Sequence, residues 1–280
     1  MGGTAGSGKT RPTIVDGIFY PGERGKLRSA VDELLRNSPT QPGSCAAVVS
    51  PHAGYAYAGA VIASAFRSIQ LRKVKNAVLI GPVHRDPPEG AFLPESDRFA
   101  TPLGPVAVDV ASVEKLLASG PFFSRNEVPH LEEHCLEVQL PFLSFLFPEA
   151  TIVPVLTGAL RPKAVEQLAE TLRLTFQAAS EYTVFIASAN MASYMKGTDT
   201  EGDAEKMMQL IEERNWRAIA AASQKGGLSS CGAAGMAAIL SIMPAARVTK
   251  LAEADSRSVD SDPKRMVHYA AFGLDGRIAD

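Results

Sequence analysis

The sequence predicts an α/β fold in a single domain, with a mixed, part-parallel sheet covered by helices. Three observations carry that expectation. Short apolar, β-branched runs alternate with longer stretches of helical periodicity, the pattern of buried strands and the helices that cover them. With 280 residues, 46% hydrophobic and 21% charged, the chain has material for one large core. No shift in composition marks a linker, and no internal repeat or low-complexity block interrupts the alternation.

Taken in chain order, strands are expected at 46–49, 77–80, 151–156 and 183–186, each with turn-forming residues beside it. Helical patterns cover 27–36, 59–69, 113–118, 136–147, 162–177, 204–222 and 233–242, the last stopped by Pro244. Between the second and third strands, residues 85–105 carry prolines at 87, 88, 94, 102 and 105 with Gly90 and Gly104. They should form loop with short extended pieces. Residues 266–274 read as a closing strand. The expected organisation is a flexible N-terminal tail over 1–12 and one domain over 13–280.

Bulk properties narrow the function classes. Lys plus Arg total 28 against 30 Asp plus Glu, a formal charge of -2 with no long block of one sign. That balance offers no electrostatic footprint for nucleic acid or an anionic membrane. Cys45, Cys135 and Cys231 are far apart and form no CxxC pair, which argues for a reducing compartment. The first twenty residues lack an apolar signal core, and no apolar run approaches the roughly 18 residues that span a bilayer. A cytoplasmic protein without membrane or nucleic-acid partners is expected.

Two short motifs match known chemistry in the wrong context. Residues 3–10, GTAGSGKT, satisfy the phosphate-loop pattern GxxxxGK[ST], yet only Met1 and Gly2 precede it and Arg11-Pro12 follow. A phosphate loop needs a buried strand before it and a helix after it. Residues 130–134, HLEEH, fit the HxxEH pattern of inverted zinc peptidases, with Pro129 placing His130 at a helix start. The third ligand should come from a later helix, where Glu205, Glu212 and Glu213 look like ordinary surface charges.

Better placed are His52 in PHAGYAYAG and His84 in GPVH. Each follows an expected strand, and ligands of open α/β sheets gather just beyond the carboxyl ends of strands. Singly, each could be a polar loop residue; together they suggest a shared metal or catalytic site. Cys231, in SSCGAAG, directly precedes the apolar helix expected at 233–242. A helix N-terminus favours thiolate, although cysteine is also a common small buried hydrophobe. Tyr55, Tyr57 and Met191 are either pocket lining or simple packing.

PHAGYAYAG, GPVH, EEHCLEVQLPFL over 132–143, IVPVLTGAL over 152–160 and SSCG, in that order, resemble the Memo family, called system protein B in its prokaryotic members. The matches run from about Asp16 to Gly273. The resemblance implies a domain similar to the catalytic subunit of class III extradiol ring-cleaving dioxygenases. It implies a metal held by His52, His84 and Cys231, like the facial triad of non-haem iron sites with thiolate in place of carboxylate. Iron is the first expectation, and the softer thiolate also admits copper or zinc. His134, with Glu133 and Glu137 nearby, matches an additional pocket residue or a group that supports a ligand.

The sequence departs from that family at one place. After the fourth strand an SSD segment followed closely by histidine is expected, and the ring-cleaving relatives use a histidine there as acid/base. Here Asn190 stands in place of the aspartate and Ser193 in place of the histidine, and neither shuttles protons near neutral pH. The favoured reading is therefore an auxiliary or redox-related metal-binding protein. The resemblance associates it with AMMECR-domain and radical SAM partners. The alternatives are a non-haem iron oxidoreductase acting on a small aromatic substrate and a metal-free binding protein.

Overall fold

In a computed structural model, residues 8–85, 89–194, 199–222, 224, 227–259 and 266–279 are described. The strands are β1 (Thr10–Arg11), β2 (Ala47–Ser50), β3 (Asn76–Pro82), β4 (Ala91–Leu93), β5 (Arg98–Phe99), β6 (Val106–Ala107), β7 (Phe123–Arg125), β8 (Thr151–Thr157), β9 (Thr183–Ser188), β10 (Ala192–Ser193), β11 (Arg247–Asp255) and β12 (Val267–Asp275). The helices are α1 (Arg24–Asn37), α2 (Tyr55–Arg67), α3 (Val110–Ala118), α4 (Glu127–Glu132), α5 (Leu140–Leu146), α6 (Pro162–Phe176), α7 (Thr200–Glu212), α8 (Trp216–Ala222) and α9 (Ala233–Ile242).

Among the described residues the main sheet runs in the order β10-β12-β2-β9-β3-β8-β4-β7, with β11 on β12. Its centre is parallel, through β2 with β9, β9 with β3, and β3 with β8. Antiparallel pairs flank it: β4 on β8 at one side, β12 on β2 at the other. The α/β class and the mixed, part-parallel sheet expected from the sequence are both observed. All four strands expected from apolar runs lie in the centre, where burial on both faces leaves continuous Val, Ile, Leu and Ala. No helix among the described residues is long and apolar enough to cross a membrane.

Several expectations need correction. The helix expected over 136–147 is a 3₁₀ turn, Glu137–Gln139, running into α5, with Pro141 in the first turn of the latter. The pattern over 204–222 is divided into α7 and α8, and Arg214 between them has φ of 55°, a left-handed conformation that ends a helix. Strand β11 was not expected, because its residues are half exposed and polar and show no buried run. The proline-rich stretch 85–105 does yield short extended pieces, β4 and β5.

The tail boundary at residue 12 also moves. Thr10 and Arg11 form β1, pairing in parallel with β5 in a small three-stranded sheet completed by β6, and Arg11 is only 1% exposed. Residues 1–7, and with them most of the phosphate-loop pattern, lie outside the described residues. Its last member, Thr10, enters a strand where a phosphate loop requires a helix.

Candidate metal centre

Three neighbouring parallel strands, in the order β2, β9 and β3, point their carboxyl ends at one place. His52 lies two residues beyond β2, His84 two beyond β3, and Asn190 two beyond β9. This is the strand-exit crevice where open α/β sheets place their sites. Cys231 arrives from the opposite direction on the residue pair before α9. Gly232 makes that approach feasible. Its φ is 85°, and a Cβ there would lie 2.5 Å from the Ser188 carbonyl oxygen.

The ligating atoms of His52, His84 and Cys231 all lie within 4.8 Å of one another. Cys231 Sγ is 3.2 Å from His52 Nε2. An ion bonded at about 2.0–2.3 Å to nitrogen and sulfur holds its ligands roughly 3–4 Å apart, close to this arrangement.

Hydrogen bonds fix which nitrogen of each ring faces Cys231. The Ser188 hydroxyl donates to the Cys135 carbonyl at 2.7 Å. Its proton is thus committed, so toward His52 Nδ1, 3.1 Å away, it accepts. His52 therefore carries a proton on Nδ1 and turns Nε2 toward Cys231 Sγ. Around it, Gln139 donates to Ser188 Oγ and to the Pro51 carbonyl and accepts from Ser50 Oγ, closing a buried network. His84 is fixed by Glu133, which accepts from the His84 backbone N–H at 2.6 Å and from Nδ1 at 2.7 Å. Its other nitrogen, Nε2, is turned toward Cys231, with which His84 also hydrogen-bonds.

Charge at the centre is mutually supporting. Burial opposes ionisation of Cys231, but His52 and then His84 outweigh it and hold the thiol well below its usual range. Burial would lower the pKa of His84, yet Cys231 and Glu133 raise it. Glu133, also opposed by burial, is kept below the usual carboxylate range by its bonds to His84. Thiolate is the form that binds metal.

A second group, His84, Glu133 and His134, also brings its donor atoms within 4.8 Å of one another. It is the poorer ligand set. Glu133 already spends both oxygens on His84, and the His84 and His134 rings are stacked, 14° from parallel with centroids 5.2 Å apart. Imidazole lone pairs lie in the ring plane, so two near-parallel rings do not aim at one point.

His134 instead lines a cavity of about 520 Å³ with His52, Asn190, Ser193, Phe19 and Tyr57. Burial and the charges of His52 and His84 push its pKa down to about 4. Asn190 receives the His52 backbone N–H on Oδ1 and donates its own N–H to the Cys231 carbonyl. Ser193 Oγ lies 4.0 Å from Cys231 Sγ. Positions 190 and 193 thus both touch the candidate centre directly. Tyr57 lines the cavity, whereas Met191 is in the core and the buried Tyr55 hydroxyl donates to the Val138 carbonyl.

The peptidase-like pair in HLEEH is pulled apart. Helix α4 ends at Glu132, so His134 is beyond it, and His130 is buried with Nε2 3.0 Å from the Phe92 carbonyl. Glu137 does not reach the histidines; it pairs with Arg11. Residues missed by the sequence analysis are Ser188, Gln139 and Arg11. The first two were readable as polar side chains in or beside otherwise apolar stretches. Arg11 gave no signal inside an expected tail.

The family model for Memo-like proteins matches residues 11–272. A MEMO1 family protein of Thermotoga neapolitana is 31% identical over 272 residues, covering 92% of this chain and 97% of that protein. One from Thermotoga petrophila is 32% identical over 277 residues, covering 93% and 98%. A relative from Thermoplasma acidophilum is 27% identical over 268 residues, covering 94% and 98%. A match running from β1 into β12, and so taking in every residue of the centre, means that the chain belongs to the Memo family.

Proposed function

We propose that this protein holds one transition-metal ion through His52 Nε2, His84 Nε2 and Cys231 Sγ and serves as an auxiliary, redox-related metal protein. One observation carries the reading: both imidazoles have Nδ1 taken by a hydrogen-bond partner, which leaves both Nε2 atoms and Cys231 Sγ converging. That is how histidine ligands are prepared, with the second nitrogen tied to a carboxylate or hydroxyl. The residues therefore fit a metal. Iron is proposed first, with copper or zinc accepted by the same soft and borderline donors. Bound iron or copper would supply one-electron redox chemistry.

What the chain itself supplies is charge, orientation and a cavity. Cys231 offsets the positive charge of the ion, Glu133 and Ser188 keep the rings in place, and the cavity beside His52 admits a ligand of modest size. It does not supply a proton shuttle where the ring-cleaving relatives have one. Asn190 and Ser193 occupy that side of the centre as neutral hydrogen-bonding groups, which favours an auxiliary role over ring cleavage. By family resemblance the partners are AMMECR-domain and radical SAM proteins in the cytoplasm.

The experiment is anaerobic purification with elemental analysis of the wild type and of His52→Ala, His84→Ala and Cys231→Ala. Stoichiometric metal is expected in the wild type and not in the variants. Metal that persists in all three overturns the site, and wild-type protein without metal supports the metal-free binding reading.

A dioxygenase-like oxidoreductase is the second reading, favoured by the aromatic Phe19, Tyr57 and Tyr269 around the cavity. Ring cleavage of catechol-type substrates by iron-loaded wild type would establish it.

A further inference from the structure

The geometry points to Arg11 as a positioning residue for the metal centre, acting through Glu133 on His84. The inference rests on the metal-site reading given above, and one arm of its test does not. Arg11 is buried to 1% exposure on β1. Its guanidinium donors reach the end of α4 and the segment after it, and Nη1 also donates to the Pro12 carbonyl at 2.9 Å. Nε donates to the His130 carbonyl at 2.6 Å and Nη2 to the Glu133 carbonyl at 2.9 Å, while Nη1 pairs with the fully buried Glu137. Phe99 lies against it, with the ring centroid 5.3 Å from Cζ.

Two of these contacts end a helix. The last carbonyls of α4 have no partner within the helix, and a cation placed there both bonds them and complements the dipole. The chain then turns extended at Glu133, whose ψ is 129°. From that turn the Glu133 carboxylate reaches back to both the backbone N–H and Nδ1 of His84. One residue thus has its carbonyl held by Arg11 and its carboxylate held by a metal ligand. Moving the first moves the second.

Glu137 closes the arrangement from the other end. Beyond Arg11 it accepts from the backbone N–H groups of Ile14 and Val15 and from the Tyr20 hydroxyl at 2.7 Å. Residues 11–20 are thereby strapped across the loop that carries Glu133 and His134. A buried ion pair is weak evidence of a stabilising role, since well-packed apolar side chains of similar volume often do as well. What apolar side chains cannot do is hold two carbonyls in fixed directions, which is the task set here.

The test uses Arg11→Lys, which keeps the charge and loses the fork, and Glu137→Gln, which keeps most of the volume and withdraws the counter-charge. Cobalt(II) is the probe, because its visible bands and thiolate charge-transfer band report ligand geometry. Each variant should bind cobalt about 10–100-fold more weakly, the range for residues that orient a ligand. Glu133→Gln should do the same, and Arg11→Lys combined with Glu133→Gln should be no weaker than Glu133→Gln alone. A merely structural Arg11 would give losses that multiply.

The second arm needs no metal. In metal-free protein, nitrogen-15 spectra of His84 should show a hydrogen-bonded Nδ1–H in wild type that is lost or exchange-broadened in Arg11→Lys and in Glu137→Gln. Folded variants that keep the wild-type His84 signal overturn the inference, whatever they do to cobalt. Loss of that signal in a chain whose wild type binds no cobalt would leave the positioning role standing and remove the metal reading.

Discussion

The two imidazoles of the candidate centre, with ring centroids 5.3 Å apart, are oriented by unlike means. His52 is 1% exposed and donates its Nδ1 proton to a neutral hydroxyl, Ser188, within a network that includes Gln139 and the Cys135 carbonyl. The His84 side chain is 35% exposed and donates to a carboxylate that also takes its backbone N–H. A buried neutral network gives direction at the cost of satisfying every member. A carboxylate gives direction and also pushes electron density onto the ring, which suits the more exposed imidazole, where water competes. The lesson is that exposure and support are matched: the imidazole nearer solvent has the stronger partner.

The largest expected effect tests whether both sides belong to one site. His52→Ala and His84→Ala should each reduce bound metal to background in elemental analysis, although only His52 is deeply buried. Should His84→Ala retain the ion while His52→Ala loses it, the exposed ring is not a ligand and the comparison collapses.

Next in size is the support on the exposed side. Glu133→Gln keeps an acceptor for the His84 backbone but loses the charge, and metal affinity measured by competition with a chelator should fall about 10–100-fold. Ser188→Ala should cost less affinity than that, because burial and Asn190 still hold His52 in place. Its cost should appear instead in thermal unfolding. Removing the hydroxyl strips a partner from Gln139 Nε2 and the Cys135 carbonyl, which is worth about 1–3 kcal/mol for buried polar groups left unmade. Equal affinity losses in the two variants would show that the two kinds of support are interchangeable.

Much of this contrast could not be read before the fold was known. The strands that deliver His52 and His84 were legible because doubly buried parallel strands are written as unbroken apolar runs, and the helix after Cys231 because it is apolar throughout. That Cys231 joins the two histidines came from family resemblance, since no spacing in the chain links positions 84 and 231. Glu133 is visible in the sequence beside His134, but nothing in HLEEH tells the two apart in role. Only the end of α4 at Glu132 decides that the carboxylate faces His84 and the imidazole faces the cavity. Arg11 was hidden for a different reason. A two-residue strand has no periodicity, and a glycine-rich start reads as a tail whether or not its last arginine is buried.

The smallest effect on the ion is expected from Asn190→Asp installed with Ser193→His, which installs the acid/base pair expected from the family resemblance. Both positions lie on the His52 side, and aspartate keeps an acceptor for the His52 backbone N–H. Metal content should therefore stay that of the wild type. The metal-free protein should respond instead at sulfur. A carboxylate at 190, accepting from the His52 backbone N–H, brings a negative charge to the centre that holds the Cys231 thiol, and like charges disfavour ionisation, so the thiol pKa should rise. Following thiolate absorbance against pH in Asn190→Asp alone isolates that charge, because Ser193→His adds a group of the opposite tendency. A thiol pKa that falls or stays put in the single variant would mean that position 190 is electrostatically remote from sulfur. Its contact with the Cys231 carbonyl would then be purely structural, leaving His52 and His84 as the groups that set the charge of the centre.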